Sequence, residues 1–257
     1  MSVERLREHR RLWSEKPVLE RVYRPWFELL LAQVPRGGRA LEVGAGPGFL
    51  AEHARQRRPD VRLVSMDILQ TPWNDLMADG LWLPFQSEVF DTVIGVDFVH
   101  HLARPAALFG EVSRVLRTGG RLGVVEPWVT PLSFPIYRWL HQESCRLRLD
   151  PWDPFPEGEG AKEAFDGDAA VVWSLVGRTA ATRWAALGLH PPRVSLLNGF
   201  AYLLSLGFKR GSLLPLRLAP LFQVVDEALG FGAPLFGMRA FAVWTKAPPP
   251  RDRARST

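Results

Sequence analysis

Two kinds of chemistry are legible in this 257-residue chain before any fold is assumed. The first is ligand capture. Glu42-Val43-Gly44-Ala45-Gly46-Pro47-Gly48 sets an acid ahead of three glycines in a G-x-G-x-G turn. Glycines tolerate unusual φ/ψ and let the backbone approach a ligand closely. A helix starting behind them offers unpaired N–H groups. The Glu42 carboxylate is placed to accept hydrogen bonds from a ligand ammonium or hydroxyl. Asp67 follows roughly 20 residues past the turn, the interval at which an acid in a strand–turn–helix unit meets the two ribose hydroxyls of a nucleoside. The second chemistry is proton transfer. His100 and His101 are adjacent, Glu126, His141 and Glu143 lie downstream, and imidazoles and carboxylates are the groups that take protons near neutral pH. No nucleophile and base are arranged as in a hydrolase.

Strands must bring these groups together. Ala40 to Val43 reads as a buried strand, Gly44 to Gly48 as a tight turn, and the residues to about Arg57 as the helix behind it. Val61 to Asp67 is a second strand ending in its acid. Val89 to Asp97 is a strand whose near-continuous apolar run suits burial on both faces, and Arg121 to Glu126 is the next. Ligands bind beyond the carboxyl ends of strands in open α/β sheets, where Glu42, Asp67, Asp97, His100, His101 and Glu126 would all sit. Residues 3–16 form a charged helix, Pro17 interrupts, and Val22, Trp26, Leu29 and Leu30 mark a second helix from Val18 to Gln33. A helix from Pro105 to Leu116 closes on Gly119-Gly120. Strands at Arg193–Leu197 and Arg239–Lys246 complete the pattern.

The G-x-G-x-G turn behind an acid departs from the G-x-G-x-x-G of dinucleotide sites. It resembles motif I of the class I S-adenosylmethionine (SAM) dependent methyltransferases. Asp79 followed by Leu83-Pro84-Phe85 resembles the segment in which an Asp meets the adenine amino group. Phe90-Asp91-Thr92-Val93, His100-His101-Leu102, Arg114-Val115-Leu116-Arg117-Thr118-Gly119-Gly120 and Val124-Val125-Glu126-Pro127 closely resemble the type 11 group, which acts on small molecules and lipid quinones. The likeness covers about residues 38–128. It implies a Rossmann-like α/β fold: a seven-stranded, mostly parallel sheet with an antiparallel last strand, helices on both faces and helical cap insertions. It implies SAM as cofactor, held by Glu42, Gly44, Ala45, Gly46, Gly48, Asp67, Ile68, Asp79, Gly80 and Asp97, with no metal. His100, His101 and His141 are then the candidate bases. One departure stands out. Thr71-Pro72-Trp73 cannot hold the helix that many relatives carry between Asp67 and Asp79, so that helix is reduced or missing and the adenine pocket is open or walled by Trp73 or Trp82.

The net charge of +5 is carried mostly by Arg rather than Lys, much of it near the ends of the chain (Arg5, Arg7, Arg10, Arg11; Arg251, Arg253, Arg255). Solvated termini account for it, or contact with an anionic surface. No Lys/Arg run with interleaved aromatics points to nucleic acid. The single Cys145 excludes an intrachain disulfide and a Cys-based zinc site and fits a reducing cytoplasm. The charged N-terminus shows no secretory signal. No apolar run reaches the ~18–20 residues of a membrane span. One SAM-methyltransferase domain is expected over 1–247: a helical cover (1–36), a cofactor core (37–127), an acceptor-side insertion (128–190) and a hydrophobic insert (198–238). The insertion should hold a helix from Phe134 to Leu149, a lid loop over 150–160 and a helix around Ala169 to Leu187. The tail, 248–257, is expected to be disordered. The insert is rich in Leu, Phe and Gly with Lys209, Arg210 and Arg217. It packs over the sheet edge, caps a hydrophobic acceptor, or makes a peripheral membrane-surface contact. The expected activity is methyl transfer from SAM to an O, N or C atom of a small, hydrophobic or lipid-like acceptor. The other expectation is a SAM-binding, non-methylating partner or cyclase-like protein. Glycine spacing disfavours a nicotinamide dehydrogenase.

Overall fold

The computed structural model describes residues 2–140, 143–153, 155 and 166–249. Its strands are β1 (Arg39–Val43), β2 (Arg62–Asp67), β3 (Leu76–Met77), β4 (Phe90–Val96), β5 (Leu116–Pro127), β6 (Arg193–Leu197) and β7 (Arg239–Thr245). They form one sheet in the order β3-β2-β1-β4-β5-β7-β6. β1 runs parallel to β2 and β4, and β4 to β5, while β7 is antiparallel to both β5 and β6. This is the fold class implied by the sequence. The sheet's twofold side-chain period divides the core. Val93, Val124, Ala242 and Trp244 pack on one side, and Ile94, Val125 and Phe241 on the other.

The helices are α1 (Val3–Glu15), α2 (Val18–Leu31), α3 (Phe49–Arg57), α4 (Pro105–Val115), α5 (Ser133–Pro135), α6 (Val171–Arg178), α7 (Ala181–Ala186), α8 (Phe200–Ser205), α9 (Ala219–Ala228) and α10 (Ala233–Phe236). Apolar residues of α2 recur every three or four positions, so Val18, Leu19, Val22, Tyr23, Trp26, Phe27, Leu30 and Leu31 are buried. They join Phe49, Leu50 and Ala54 of α3 on one face. Leu108, Phe109 and Val112 of α4, with Leu175 of α6 and Trp184 of α7, cover the other. No helix separates β2 from β3, as Thr71-Pro72-Trp73 foretells.

Three expectations are corrected. The helix expected over Phe134–Leu149 ends early, in α5 and a π-type turn at Ile136–Leu140. The buried Asp168 carboxylate draws the chain beyond it out of helical register, accepting from Ser144 Oγ (2.8 Å), Arg146 Nε (2.8 Å) and Ala170 N (3.0 Å). The helix expected around Ala169–Leu187 is two, because Thr179 is extended (φ −86°, ψ 119°) between α6 and α7. β5 starts at Leu116 rather than Arg121, with a register shift opposite Phe90/Thr92 that Gly119 accommodates at φ +77°. His141, most of the expected lid loop and most of the tail lie outside the described residues.

Candidate active site

The glycine turn leaves β1 and enters α3 with Gly44, Gly46 and Gly48 all at positive φ, where any L side chain would be strained. Its close approaches are to protein. A Cβ on Gly44 would lie 2.4 Å from Phe98 Cβ, and one on Gly48 would lie 2.7 Å from the Trp73 ring. Trp73, expected at the adenine pocket, lies against the glycine turn itself and donates Nε1–H to Gly46 O at 2.7 Å. Trp82 does not; it is 78% exposed. Helix α1 lies over the same turn. Leu6 is fully buried with Cδ2 3.9 Å from the Cβ position of Gly46. Arg10 donates to Pro47 O and Glu52 Oε1, both at 2.7 Å, while its guanidinium sits 4.9 Å from the Trp73 ring. The charged first helix is therefore a cover for the turn, held by one arginine.

The acids at the strand ends differ in state. Asp67 Oδ2 accepts from Gly46 N (2.8 Å) and Oδ1 from Leu69 N (2.9 Å), so this carboxylate braces the glycine turn from β2. Burial raises its pKa, and those amides oppose the rise. Ile68 beside it is 48% exposed. Asp79 Oδ1 accepts from Leu81 N (2.9 Å) just after β3, and Gly80 brings this turn against the end of β1, its Cβ position 3.3 Å from Val43. Ala45 donates its N–H to Met66 O at 3.0 Å. Glu42 is the exception. It is buried, its Oε2 has no hydrogen-bond partner among the described residues, and burial pushes its pKa up to about 8 against the pull of Arg55.

The histidines separate into two roles. His100 is 2% exposed, with Nδ1 2.5 Å from Glu126 Oε2 and Nε2 3.3 Å from Glu143 Oε2. Burial alone would lower its pKa, but the two carboxylates outweigh burial and lift it to about 10. His100 is thus held on both sides by carboxylates that favour its charged form, a less suitable base than His101. Glu126 also accepts from Phe98 N (2.9 Å) and Val99 N (2.8 Å), fixing the loop after β4. His101 is the more open ring, its side chain 19% exposed, with Nε2 3.7 Å from Glu143 Oε1. Glu143 is carried here by the Asp168 knot, since Asp168 N also donates to His100 O (3.2 Å). One ligand-type atom each from His100, His101 and Glu143 lies within 4.8 Å of the others, a grouping that spacing in the sequence does not reveal.

Asp97 has a partner that sequence reasoning missed. Its carboxylate pairs with Arg239, at the start of β7. Arg239 is 2% exposed and flanked by Tyr202 (4.5 Å) and Trp26 (5.1 Å) in cation–π contact. Asp97 itself is left-handed, at φ 53°, a strained backbone for a non-glycine, and its N–H is tied to Val125 O (3.0 Å). The only cue was a lone arginine opening an otherwise apolar strand.

SAM combines a sulfonium, an α-ammonium and an adenosine. The chain fits it on one decisive point: Glu42 offers a buried, unpartnered carboxylate oxygen at the end of β1. Asp67 and exposed Ile68 at the next strand end suit a ribose and an adenine face.

Residues 41–124 match the methyltransferase domain family. The chain is 30% identical over 169 residues, 60% of its length, to the tRNA (carboxymethyluridine(34)-5-O)-methyltransferase of Saccharomyces cerevisiae. It is 34% identical over 124 residues, 43% of its length, to the demethylmenaquinone methyltransferase of Roseiflexus castenholzii. The matches span about half of those relatives, 50% and 51% respectively. Among solved structures the [4+2]-cyclase SpnF aligns over 88% of this chain and 81% of its own, at 15% identity and a TM-score of 0.52, a likeness of fold. With the family's model matched from β1 into β5, residues 41–124 are a methyltransferase domain of the class I, SAM-dependent type, set in the seven-stranded sheet described above.

Proposed function

We propose that the chain transfers the methyl group of SAM to an O, N or C atom of a small, hydrophobic or lipid-like acceptor. The observation that carries this reading is the placing, at the ends of adjacent strands, of an unpartnered Glu42 oxygen after β1 and the His101 ring after β4, with Glu143 3.7 Å from that ring. SAM supplies an electrophilic methyl and a neutral leaving group when bound. Glu42 would hold the α-ammonium, Asp67 the ribose and Ile68 the adenine. His101 would take the acceptor proton, Glu143 would orient that ring, and His100 with Glu126 would hold the loop still. Asp97 would serve the cofactor through its backbone position rather than its carboxylate, which Arg239 occupies. The apolar character of the acceptor rests on the insert, which lays Tyr202 over Arg239 next to Asp97.

The test is formation of S-adenosylhomocysteine from SAM with quinols, polyprenols and phospholipids as acceptors. His101→Ala should lower kcat by about 100-fold or more with little change in KM for SAM. SAM binding without turnover on any such acceptor would favour the non-methylating reading, a role of the kind performed by the cyclase with this fold. Turnover that falls on chelation and returns with zinc would reassign His101 and Glu143 from proton transfer to metal ligation.

A further inference from the structure

We infer that the outer face of residues 209–235 docks on an anionic lipid surface. This goes beyond methyl transfer and does not depend on it. Leu221 (57%) and Val224 (60%) are exposed on α9, three residues apart, with Ala228 completing the same side, while Phe222 and Val225 turn inward. Phe231 (86%), in the turn packed on α9, and Leu235 (52%), on α10 against that turn, extend the exposed apolar surface, and Leu213 (69%) is exposed ahead of α9. Leu132 N donates to Leu235 O at 3.1 Å, which joins this face to the segment of exposed Trp139 and Leu140. Isolated apolar side chains on a surface need no explanation, but contiguous large ones mark an interaction site.

Charge selects the occupant. Lys209, Arg210 and Arg217 are exposed among these leucines, against one exposed acid in the same stretch, Glu227; Asp226 beside it is turned to Phe200 N and Ala201 N. Arg138 is exposed beside Trp139. A second copy of the chain would bring these cations against themselves. A phospholipid surface carrying net negative charge satisfies both the cations and the apolar side chains. No helix among the described residues is long and apolar enough to cross a membrane, so the contact is peripheral. The insert thereby has two faces: leucines outward, and Tyr202 inward on Arg239 beside the strand ends.

The experiment is co-sedimentation of the full chain with phosphatidylcholine vesicles, with and without phosphatidylglycerol; it needs neither SAM nor acceptor, so its failure leaves the methyl-transfer reading intact. Binding should require phosphatidylglycerol. Arg210→Gln with Arg217→Gln should weaken it about 25-fold, about fivefold for each cation lost at the surface. Leu221→Ser with Phe231→Ser should abolish it while leaving the circular dichroism spectrum unchanged, since both side chains are exposed. Failure of the wild type to bind the anionic vesicles overturns the inference, as does unchanged binding in both double variants. A wild-type dimer in solution that Leu221→Ser with Phe231→Ser dissociates would also overturn it, in favour of a second copy on this face.

Discussion

Binding of the cofactor should expel a proton from Glu42. With a pKa of about 8 in the ligand-free protein, Glu42 is about 0.9 protonated at pH 7. An ammonium brought against its unpartnered oxygen favours the carboxylate, so the pKa falls and the proton leaves. The sign follows: affinity rises with pH below 8 and levels off above it. If the bound pKa falls below about 5, the association constant should rise about ninefold between pH 6 and pH 7. Calorimetric titration with S-adenosylhomocysteine at pH 7, in buffers of differing ionisation enthalpy, reads the proton count directly. Wild-type protein should release about 0.9 proton more per ligand than Glu42→Gln. The variant cancels the ligand's own titration, which is common to both. Glu42→Gln should also bind more weakly, through loss of a charge-assisted hydrogen bond in a buried site. Equal proton release by the two proteins would refute the placement of the ammonium at Glu42, whatever the affinities.

The same group predicts a stability effect without ligand. Because the folded pKa of Glu42 is raised from 4.5 to about 8, stability falls as pH rises through that window. Thermal melts should show Glu42→Gln gaining on the wild type from pH 5 to pH 8, by an amount on the order of a few kcal/mol. Asp67→Ala removes acceptors from Gly46 N and Leu69 N. It should weaken S-adenosylhomocysteine binding and also lower stability by about 1–3 kcal/mol, measured by denaturant titration; wild-type affinity in that variant would remove Asp67 from the site.

The proximity of the candidate cofactor residues was legible because it is local. The strand, turn and following acid lie within one β-α-β unit, where chain order dictates proximity, so Glu42, the three glycines and Asp67 fall on neighbouring strand ends. What spacing could not supply was the state of each group. The glycines at 44 and 48 admit Phe98 and Trp73, and only packing distinguishes a glycine that yields to a ring from one that yields to a ligand. The breakdown of the expected helix after Phe134 has the same origin. Helical periodicity was present, but buried Asp168, far along the chain, recruits Ser144 and Arg146 more strongly than helix propensity, a tertiary override of a weak local preference.

The proposed acceptor side depends on contacts across long stretches of chain, and there the structure adds what no local pattern holds. Asp97 and Arg239 are 142 positions apart, yet β5 and β7 pair so that Pro127 lies opposite Arg239, at the same rim as Asp97. A charged pair this buried is a poor source of stability unless its remaining polar groups are satisfied, and Arg239 Nε has no partner among the described residues. Breaking such a pair from one side leaves an uncompensated charge, so the pair fixes the insert's Tyr202 and the strained Asp97 backbone as one unit. Tyr202 of the insert is thereby linked through Arg239 to Asp97, three residues before His100. The face proposed to dock on lipid and the ring proposed to take a proton would then be connected through one buried arginine.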